Sequence, residues 1–360
     1  MKLKLKNTPE QVELIKAMAS RDANVSREAS QAFAAFIGPV VSKVLMQAGT
    51  ASSVYTDLAF NEDDNPSIPL DLFAGEGEGY TTVWSQSVAG GLPTSEVSGL
   101  SEMKVSTYRL DSAVSFLKRY ARRGRLDVVS KAVERMTNEV LVKQERNAWA
   151  VVMKALAEAR TSAVGTNAGV AGSHVTKVTG GALTLGGLNS LITLVKRINT
   201  SFAGGSTADS YGLTDIFVSP EIKADIRAFA YNAVTNGTTD LPAGVREEIY
   251  RGAGTQEIYG ISIHELVELG VNKKYNALFD DLTAVTFDPA ADEILVGLDL
   301  TKDAFVRPVA ANSETGGTFT AIPDDQFVAR ADKIGFYGSL EEGRVCLDGR
   351  AVAGLVVAAS

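Results

Sequence analysis

Residues 126–160 read LDVVSKAVERMTNEVLVKQERNAWAVVMKALAEAR and show a clear periodic pattern of apolar residues. The apolar residues recur at steps of mostly three or four, which is typical of one face of an α-helix. They are Leu126, Val129, Val133, Met136, Val140, Ala148, Val151 and Ala155. Gly124 precedes the stretch, and a glycine-rich loop at 165–172 follows it, so both ends are marked. We predict one helix about 50 Å long, called the spine helix below, with sheets packed against its apolar face.

The length and composition limit the classes of protein to consider. A chain of 360 residues is long enough for more than one compact unit. Cys346 is the only cysteine, which excludes an intrachain disulfide and fits a reducing compartment. The net charge of −8, with no basic tail, argues against a protein that acts mainly by binding nucleic acid. No apolar run is long enough to cross a bilayer, so we expect no membrane partner.

The first 49 residues predict a helical arm. Residues 8–11 (TPEQ) have the form of a capping box with proline at the first helical position, and predict a short helix. A second helix follows, and its apolar stripe includes Phe33, Phe36 and Ile37. No strand-like sequence lies beside this arm. We therefore expect these three side chains to pack on other subunits.

The segment 50–115 is an acidic extension. Short strand-like pieces alternate there with Gly and Pro, and no Lys or Arg occurs between Lys43 and Lys104. Nine carboxylates fall in that interval: Asp57, Glu62, Asp63, Asp64, Asp71, Glu76, Glu78, Glu96 and Glu102. A basic cluster follows at once, formed by Lys118, Arg119, Arg122, Arg123 and Arg125. Such segregation of charge predicts a segment that projects from the body of the protein.

The rest of the chain predicts a mixture of helices and strands. Between 165 and 270, strand-like stretches such as Ile216–Val218 alternate with helical ones, and Ser219-Pro220 predicts a helix start. From 271 to 345 the pattern is that of strands only. Asp348-Gly349 predicts a hairpin turn near the end. The fold class is therefore α+β.

No motif for catalysis, cofactor binding or a metal site stands out. The two histidines, His174 and His264, lie about 90 residues apart, and hydrogen-bonded or solvated roles are favoured over a metal or catalytic role for each. Gly75–Gly79 lacks the lysine of a phosphate-binding loop, and its two carboxylates would repel phosphate. Residues 61–65 (NEDDN) are rich in oxygen ligands for Ca²⁺ but lack the glycine and distal glutamate of an EF-hand. We predict no catalytic, cofactor-binding or metal-ligating residues.

The order of these parts resembles the HK97-type major capsid proteins of tailed bacteriophages. The resemblance covers nearly the whole chain and rests on its layout and on three stretches. These are RYARRGRLDVVSKAVERMTNEVLVKQE (119–145), DIFVSPEIKADIRAF (215–229) and DDQFVARADKIGFYGSLEEGRVCLDGRAVAGLVV (324–357). It implies the following parts: an N-arm (1–49), an E-loop (50–115), a peripheral domain with the spine helix (116–164), an axial domain (165–270), peripheral strands (271–345) and a return to the axial domain (346–360).

The resemblance also implies a function. It implies a subunit that assembles with copies of itself, as pentamers and hexamers, into an icosahedral shell around double-stranded DNA. Further partners would be a portal, a cement protein and a separate scaffolding protein. The scaffolding protein is expected because no long charged helical segment precedes the arm, and the alternative is a mature form whose start happens to be Met1. Assembly in the host cytoplasm and residence in the virion would follow. Two alternatives remain: an encapsulin-type compartment, and a soluble hydrolase with an unrecognised carboxylate site.

The charge pattern leads to a hypothesis about contacts between subunits. In the capsid proteins that this chain resembles, the E-loop lies across a neighbouring subunit. We therefore expect acidic residues of the extension to meet the basic cluster of another copy. Contact of the basic cluster with the packaged genome is the alternative. The residues expected on the acidic side are Asp63, Asp64, Glu76 and Glu78. Those expected on the basic side are Arg119, Arg122, Arg123 and Arg125.

Overall fold

The computed structural model describes residues 8–47, 49–61, 65–69, 102–162, 164–178, 181–198, 212–228, 256–311, 318–324 and 332–359. The chain divides into two compact units. The first unit comprises residues 1–67, 104–148 and 306–345, and the second comprises 68–103, 149–305 and 346–360. Each unit is therefore assembled from segments that are distant in sequence.

The described residues form seven α-helices and sixteen strands. The helices are α1 (Pro9–Met18), α2 (Ala23–Gln47), α3 (Lys118–Arg122), α4 (Leu126–Glu158), α5 (Leu185–Ile198), α6 (Pro220–Ala228) and α7 (Lys274–Leu282). The first eight strands are β1 (Thr56–Asn61), β2 (Ser67–Pro69), β3 (Glu102–Lys104), β4 (Thr107–Leu117), β5 (Thr166–Asn167), β6 (Val170–Ala171), β7 (Val175–Lys177) and β8 (Asp215–Val218). The others are β9 (Gln256–Ile258), β10 (Ile261–Glu265), β11 (Asp292–Leu298), β12 (Phe305–Ala311), β13 (Thr320–Asp324), β14 (Lys333–Gly343), β15 (Val345–Cys346) and β16 (Val352–Ala358).

The predicted spine helix is α4, a single helix of 33 residues that begins at Leu126 and ends at Glu158. Its first part packs in the core of the first unit through Val129, Val133, Met136 and Val140. From Trp149 onward the helix belongs to the second unit, where Trp149, Met153 and Leu156 are fully buried. The predicted stripe is confirmed in the first part. In the last three turns the buried face shifts, so that Val151 and Ala155 are only partly buried.

The first unit is built on a six-stranded sheet. Its central pairing is an antiparallel ladder between β14 and β4 that runs from Lys333↔Leu117 to Gly343↔Thr107. β13 and β12 pair with β14, β15 pairs with β12, and β1 adds to β12 in parallel at one edge. Apolar residues from α1, α2, α4 and the sheet form one core cluster. The unit thus has a layer of helices over one face of a sheet.

The second unit contains a six-stranded sheet in the order β7-β16-β11-β8-β10-β9. On one face, leucine and isoleucine residues of α5 and α6 pack against the strands. On the other face, Trp149 packs edge-on against Phe217 with 4.7 Å between ring centroids. Every residue of β11 is buried, as is all of β16 except its last residue. A sheet covered on both faces explains why these strands read as continuous apolar runs.

The α+β fold class is confirmed, and the unit boundaries refine the sequence-based ones. Residues 346–360 belong with the second unit because β16 lies between β7 and β11. The sequence analysis placed 271–345 with the peripheral strands, but β11 pairs with β16 and β8, so the change of unit falls after Phe305. The spine helix was predicted to lie within the peripheral domain, whereas its last ten residues belong to the second unit.

Among the described helices, none is long and apolar enough to cross a membrane.

Candidate assembly surface

The inner face of α2 belongs to the core of its own unit. Phe33 and Ile37 are buried there, and the ring of Phe33 lies 5.2 Å from that of Phe336 on β14. The expectation that the arm lacks a local partner is therefore wrong for these two residues. The expectation failed because Phe336 follows Phe33 by about 300 residues. A local pattern of apolar residues cannot show that two residues so far apart in sequence pack together.

The outer face of α2 is different, because it presents apolar side chains to solvent. Val25, Phe36 and Val40 are exposed, and Phe36 retains 47% of its accessible area. Steps of eleven and four residues are close to whole helical turns, so these three side chains lie on one side of the helix. Helix α2 therefore has two apolar sides, of which one is buried within the unit. The prediction that the arm contacts other subunits stays a prediction, and Phe36 is the residue that carries it.

The basic cluster is formed by α3 and the turn that joins it to the spine helix. Gly124 has a φ of +65°, a left-handed conformation that favours glycine and allows this short connection. Lys118 is buried, whereas the four arginines are exposed. Two of these arginines form long, exposed ion pairs within the chain, Arg122 with Asp332 at 3.5 Å and Arg125 with Asp127 at 3.6 Å. Exposed pairs of this kind contribute little to stability.

The remaining two arginines are more available to a partner. The guanidinium of Arg119 lies over the ring of Tyr120, 5.0 Å from its centroid. Within the described part of the chain, no carboxylate forms an ion pair with Arg123. The four predicted arginines are thus all exposed and lie within a span of seven residues, 119–125. Their predicted partners, Asp63, Asp64, Glu76 and Glu78, lie outside the described residues.

One acid of the extension has a role that the sequence analysis did not find. Asp57 on β1 accepts two hydrogen bonds from the buried side chain of Arg307 on β12, at 2.6 Å from Nε and 2.7 Å from Nη2. This fork-like geometry gives the strongest type of side-chain ion pair. Asp57 therefore has a cationic partner in its own unit.

Arg307 also faces a buried ionic network, which we call the Glu342 cluster. Its members are Asp57, Tyr108, Gln144, Arg307, Glu342 and Arg344. The fully buried carboxylate of Glu342 accepts hydrogen bonds from Tyr108 at 2.7 Å, from Gln144 at 2.9 Å and from Arg344 at 3.2 Å. Arg307 lies 3.9 Å from the same carboxylate. The network joins β1, β4, β12, β14 and the spine helix within the first unit.

The charges of the Glu342 cluster are balanced, with two carboxylates and two guanidinium groups. Burial, together with the negative charge of Glu342, raises the pKa of Tyr108 to about 12. Burial alone would lower the pKa of Arg344, but the neighbouring Glu342 outweighs it and the pKa is raised. The guanidinium of Arg344 also lies over the ring of Tyr55, 4.8 Å from its centroid. All of these effects keep the tyrosine protonated and the arginine charged.

Both histidines are hydrogen-bonded, as the sequence analysis favoured. The buried His174 contacts the Val352 carbonyl through Nδ1 at 3.0 Å and the Thr161 hydroxyl through Nε2 at 2.7 Å. His264 contacts the carboxylate of Asp215 at 2.7 Å.

Burial raises the pKa of the Cys346 thiol to about 12, so the thiol remains protonated and is a poor nucleophile. Throughout the described ranges, no three His, Cys, Asp or Glu side chains are grouped in a way that could hold a metal ion.

A second buried carboxyl lies in the second unit, where Ser219 has two roles. The Ser219 hydroxyl accepts a hydrogen bond from the backbone N–H of Ile222 at 3.1 Å and thus caps α6, as the Ser-Pro pair predicted. The same hydroxyl donates to the carboxyl of Glu293 on β11. Burial raises the pKa of Glu293, and the nearby Glu221 and Asp225 add to the effect, although the hydrogen bond from Ser219 opposes it.

Comparison with known proteins gives structural similarities only. No protein-family model matches the chain, and no curated protein matches it. The capsid structure of cyanophage P-SCSP1u aligns with a TM-score of 0.48 at 16% identity, over 87% of this chain and 89% of that one. A structure from Microbacterium phage Oxtober96 aligns with a TM-score of 0.49 at 13% identity, over 86% and 91%. The holo-SrpI encapsulin complex from Synechococcus elongatus aligns with a TM-score of 0.41 at 12% identity, over 71% and 75%.

Proposed function

We propose that this chain is the major capsid protein of a tailed bacteriophage and assembles with copies of itself into the icosahedral shell around the genome. The observation that carries the proposal is the layout of the chain. A two-helix arm comes first, then an acidic segment between β1 and β4, and then a helix of 33 residues. After the helix come an α/β unit and strands that return to it. This is the order on which the resemblance to HK97-type capsid proteins rests.

The chemistry of the described residues supports a structural role over an enzymatic one. His174 and His264 are engaged in hydrogen bonds to groups of the fold. Cys346 has a pKa of about 12 and does not form a thiolate near neutral pH. The buried carboxylate of Glu342 is held by Tyr108, Gln144 and arginine side chains, which is the environment of a structural ion network. These observations favour self-assembly over the soluble hydrolase.

The proposed partners follow from the same role. They are other copies of the chain in pentamers and hexamers, a separate scaffolding protein, a portal and a cement protein. Packaged double-stranded DNA would face the shell without sequence-specific contacts. The net charge of −8 suits this arrangement, because a weakly repulsive wall does not immobilise the DNA. Assembly would take place in the host cytoplasm, and the product would be the virion capsid.

Two surfaces of the first unit are the proposed contacts between copies. The first is the outer face of α2, where Val25, Phe36 and Val40 present apolar area to solvent. The second is the basic cluster, whose exposed arginines would receive Asp63, Asp64, Glu76 and Glu78 of a neighbouring copy. Single exposed ion pairs contribute only about 0–1 kcal/mol. Repeated around a closed shell, they would still favour one register of assembly over others.

Electron microscopy of the purified chain tests the function directly. We expect closed shells of uniform size in negative stain at high protein concentration, and empty or nucleic-acid-filled interiors. Shells that co-purify with one defined protein cargo in stoichiometric amount would instead support the encapsulin-type compartment. A compact monomer at every concentration up to the solubility limit, with the scaffolding protein of the same phage present, would overturn the proposal.

Charge reversal tests the second contact surface. Arg122→Glu combined with Arg123→Glu should reduce shell yield, and added reversals at Asp63 and Asp64 should partly restore it. The matched control is Lys131→Glu combined with Arg135→Glu, which makes the same change in charge at exposed positions of the spine helix. Equal yields from the test pair and the control pair would exclude this role for the basic cluster.

A further inference from the structure

We propose that β1 is a detachable edge strand, held to the first sheet chiefly by the ion pair between Asp57 and Arg307. Detachment would open β1 (Thr56–Asn61) while the rest of the sheet remains folded. This inference concerns the folded subunit and does not depend on the proposed assembly function.

Apolar burial contributes little to holding β1. Five of its six side chains are exposed and only Phe60 is partly buried, while Leu58 retains 42% of its accessible area. By contrast, β14 is buried at most positions and pairs with β4 across eleven residues. An edge strand with one neighbour and an exposed face is the kind of element that opens locally.

The ion pair between Asp57 and Arg307 attaches β1 with a well-defined geometry. Asp57 is one of the six residues of β1, and its carboxylate accepts two short hydrogen bonds from the guanidinium of Arg307. The Arg307 side chain is 7% exposed and the Asp57 side chain 40%, so the pair connects the sheet interior with the surface. The planar guanidinium fixes the direction of the carboxylate, which apolar contacts do not do.

The ion pair between Asp57 and Arg307 lies close to the point where the chain leaves the first unit. The chain leaves the first unit after Ser67, a few residues beyond the end of β1. It re-enters the unit at Lys104, a few residues before β4 begins. The returning strand is fixed separately, because Tyr108 on β4 donates to Glu342 at 2.7 Å and β4 is fully paired with β14. β1 is thus held more weakly than β4. Loss of the ion pair between Asp57 and Arg307 would therefore free β1 and leave β4 in place.

Hydrogen–deuterium exchange of the full-length chain tests the proposal. Asp57→Asn should speed exchange of the ladder amides in 56–61 about tenfold or more, as expected for a lowered local opening energy. Exchange in β4, β14 and the spine helix should stay as in the wild type. Arg307→Lys keeps the charge but loses the fork geometry, and should give an intermediate increase confined to the same residues.

The matched control is Asp111→Asn, which removes an exposed carboxylate on β4 that pairs with Arg109 at 2.8 Å. This variant should leave exchange in 56–61 unchanged. Wild-type exchange in 56–61 of Asp57→Asn would overturn the proposal, because the ion pair would then not hold the strand. Faster exchange spread equally over β4, β14 and the spine helix would also overturn it, since the pair would then support the whole unit.

Discussion

The two sheets are stabilised in different ways. The first sheet contains a buried ionic network, in which Glu342 and Arg344 are almost inaccessible to solvent. The second sheet has helices on both faces, and β11 and β16 are apolar along most of their length. Apolar packing supplies area but little direction, whereas charged hydrogen bonds require fixed partners. The ionic network of the first unit joins β1 and β4 to β12, β14 and the spine helix.

The largest effect is expected from a charge placed in the apolar sheet. Leu295→Asp on β11 would bury a carboxylate with no cationic partner in a site that is fully inaccessible in the wild type. The free energy of unfolding should fall by about 4–5 kcal/mol or more, and most of the protein should be insoluble. Soluble yield and thermal unfolding measure this. Val267→Asp is the control, because Val267 is 68% exposed, and it should behave as the wild type.

A somewhat smaller effect is expected when a partner is removed from the ionic sheet. Glu342→Ala would leave Arg307 and Arg344 close together without the carboxylate between them. Breaking a buried pair in this way costs about 3–5 kcal/mol. Urea unfolding should show the loss in the first unit. Glu341→Ala, at the next residue, removes one partly buried hydrogen bond from Thr107 and should cost far less.

The close-packed glycines of the two sheets should also respond differently. A Cβ at Gly338 on β14 would lie 2.2 Å from the ring of Phe319, and the buried ring has little room to move. Gly338→Ala should therefore lower the free energy of unfolding by about 1–3 kcal/mol. A Cβ at Gly297 on β11 would meet a terminal methyl of Leu213 at 2.6 Å, which rotates away more easily. Thermal unfolding of the two variants should rank Gly338→Ala as the less stable.

The smallest effect is expected at Glu293, a carboxyl in the otherwise apolar sheet. Burial raises the pKa of Glu293 in the folded state above its unfolded value of about 4.3. The folded state therefore binds the proton more tightly, and the stability contributed by Glu293 is lost as the pH rises through the folded pKa. As the pH rises, the free energy of unfolding of the wild type should fall relative to that of Glu293→Gln. The fall should be about 1.4 kcal/mol for each unit that separates the folded and unfolded pKa values of Glu293.

Urea unfolding of both proteins at several pH values from about 4 to 7 measures this difference. Glu257→Gln, at an exposed carboxyl on β9 of the same sheet, is the matched control. A difference between the wild type and Glu293→Gln that stays constant over this range would show that Glu293 titrates alike in the folded and unfolded states.

Local pattern located most of the helices, because a helix is defined by neighbours along the chain. It was wrong for 271–345, where only strands were predicted and the structure has α7 (Lys274–Leu282). The spine helix begins at the predicted residue and ends two residues earlier than predicted, and Ser219 caps α6 as the Ser-Pro pair indicated. The α+β class followed from the same patterns. The patterns could not show which residues pack against each apolar face of a helix. Phe33 and Ile37 are examples, because their packing within the first unit was not predicted.

The Glu342 cluster could not have been found from the sequence, because its members come from five distant segments. Asp57 and Arg307 are separated by 250 positions, and nothing in their local sequence distinguishes them from solvated charges. The unusual EEGR sequence at 341–344 was a weak signal, since it places charges inside a strand-like stretch. The four exposed arginines of the basic cluster were predicted as a group, because charge density is a property of local sequence.

The position of β16 has a consequence for protein synthesis. β16 follows every other described strand in sequence, yet it lies inside the second sheet, between β7 and β11. Until it has left the ribosome, β7 and β11 each expose an edge that β16 later occupies, and unpaired edges favour wrong association. Completion of the second sheet therefore waits for translation of Val352–Ala358.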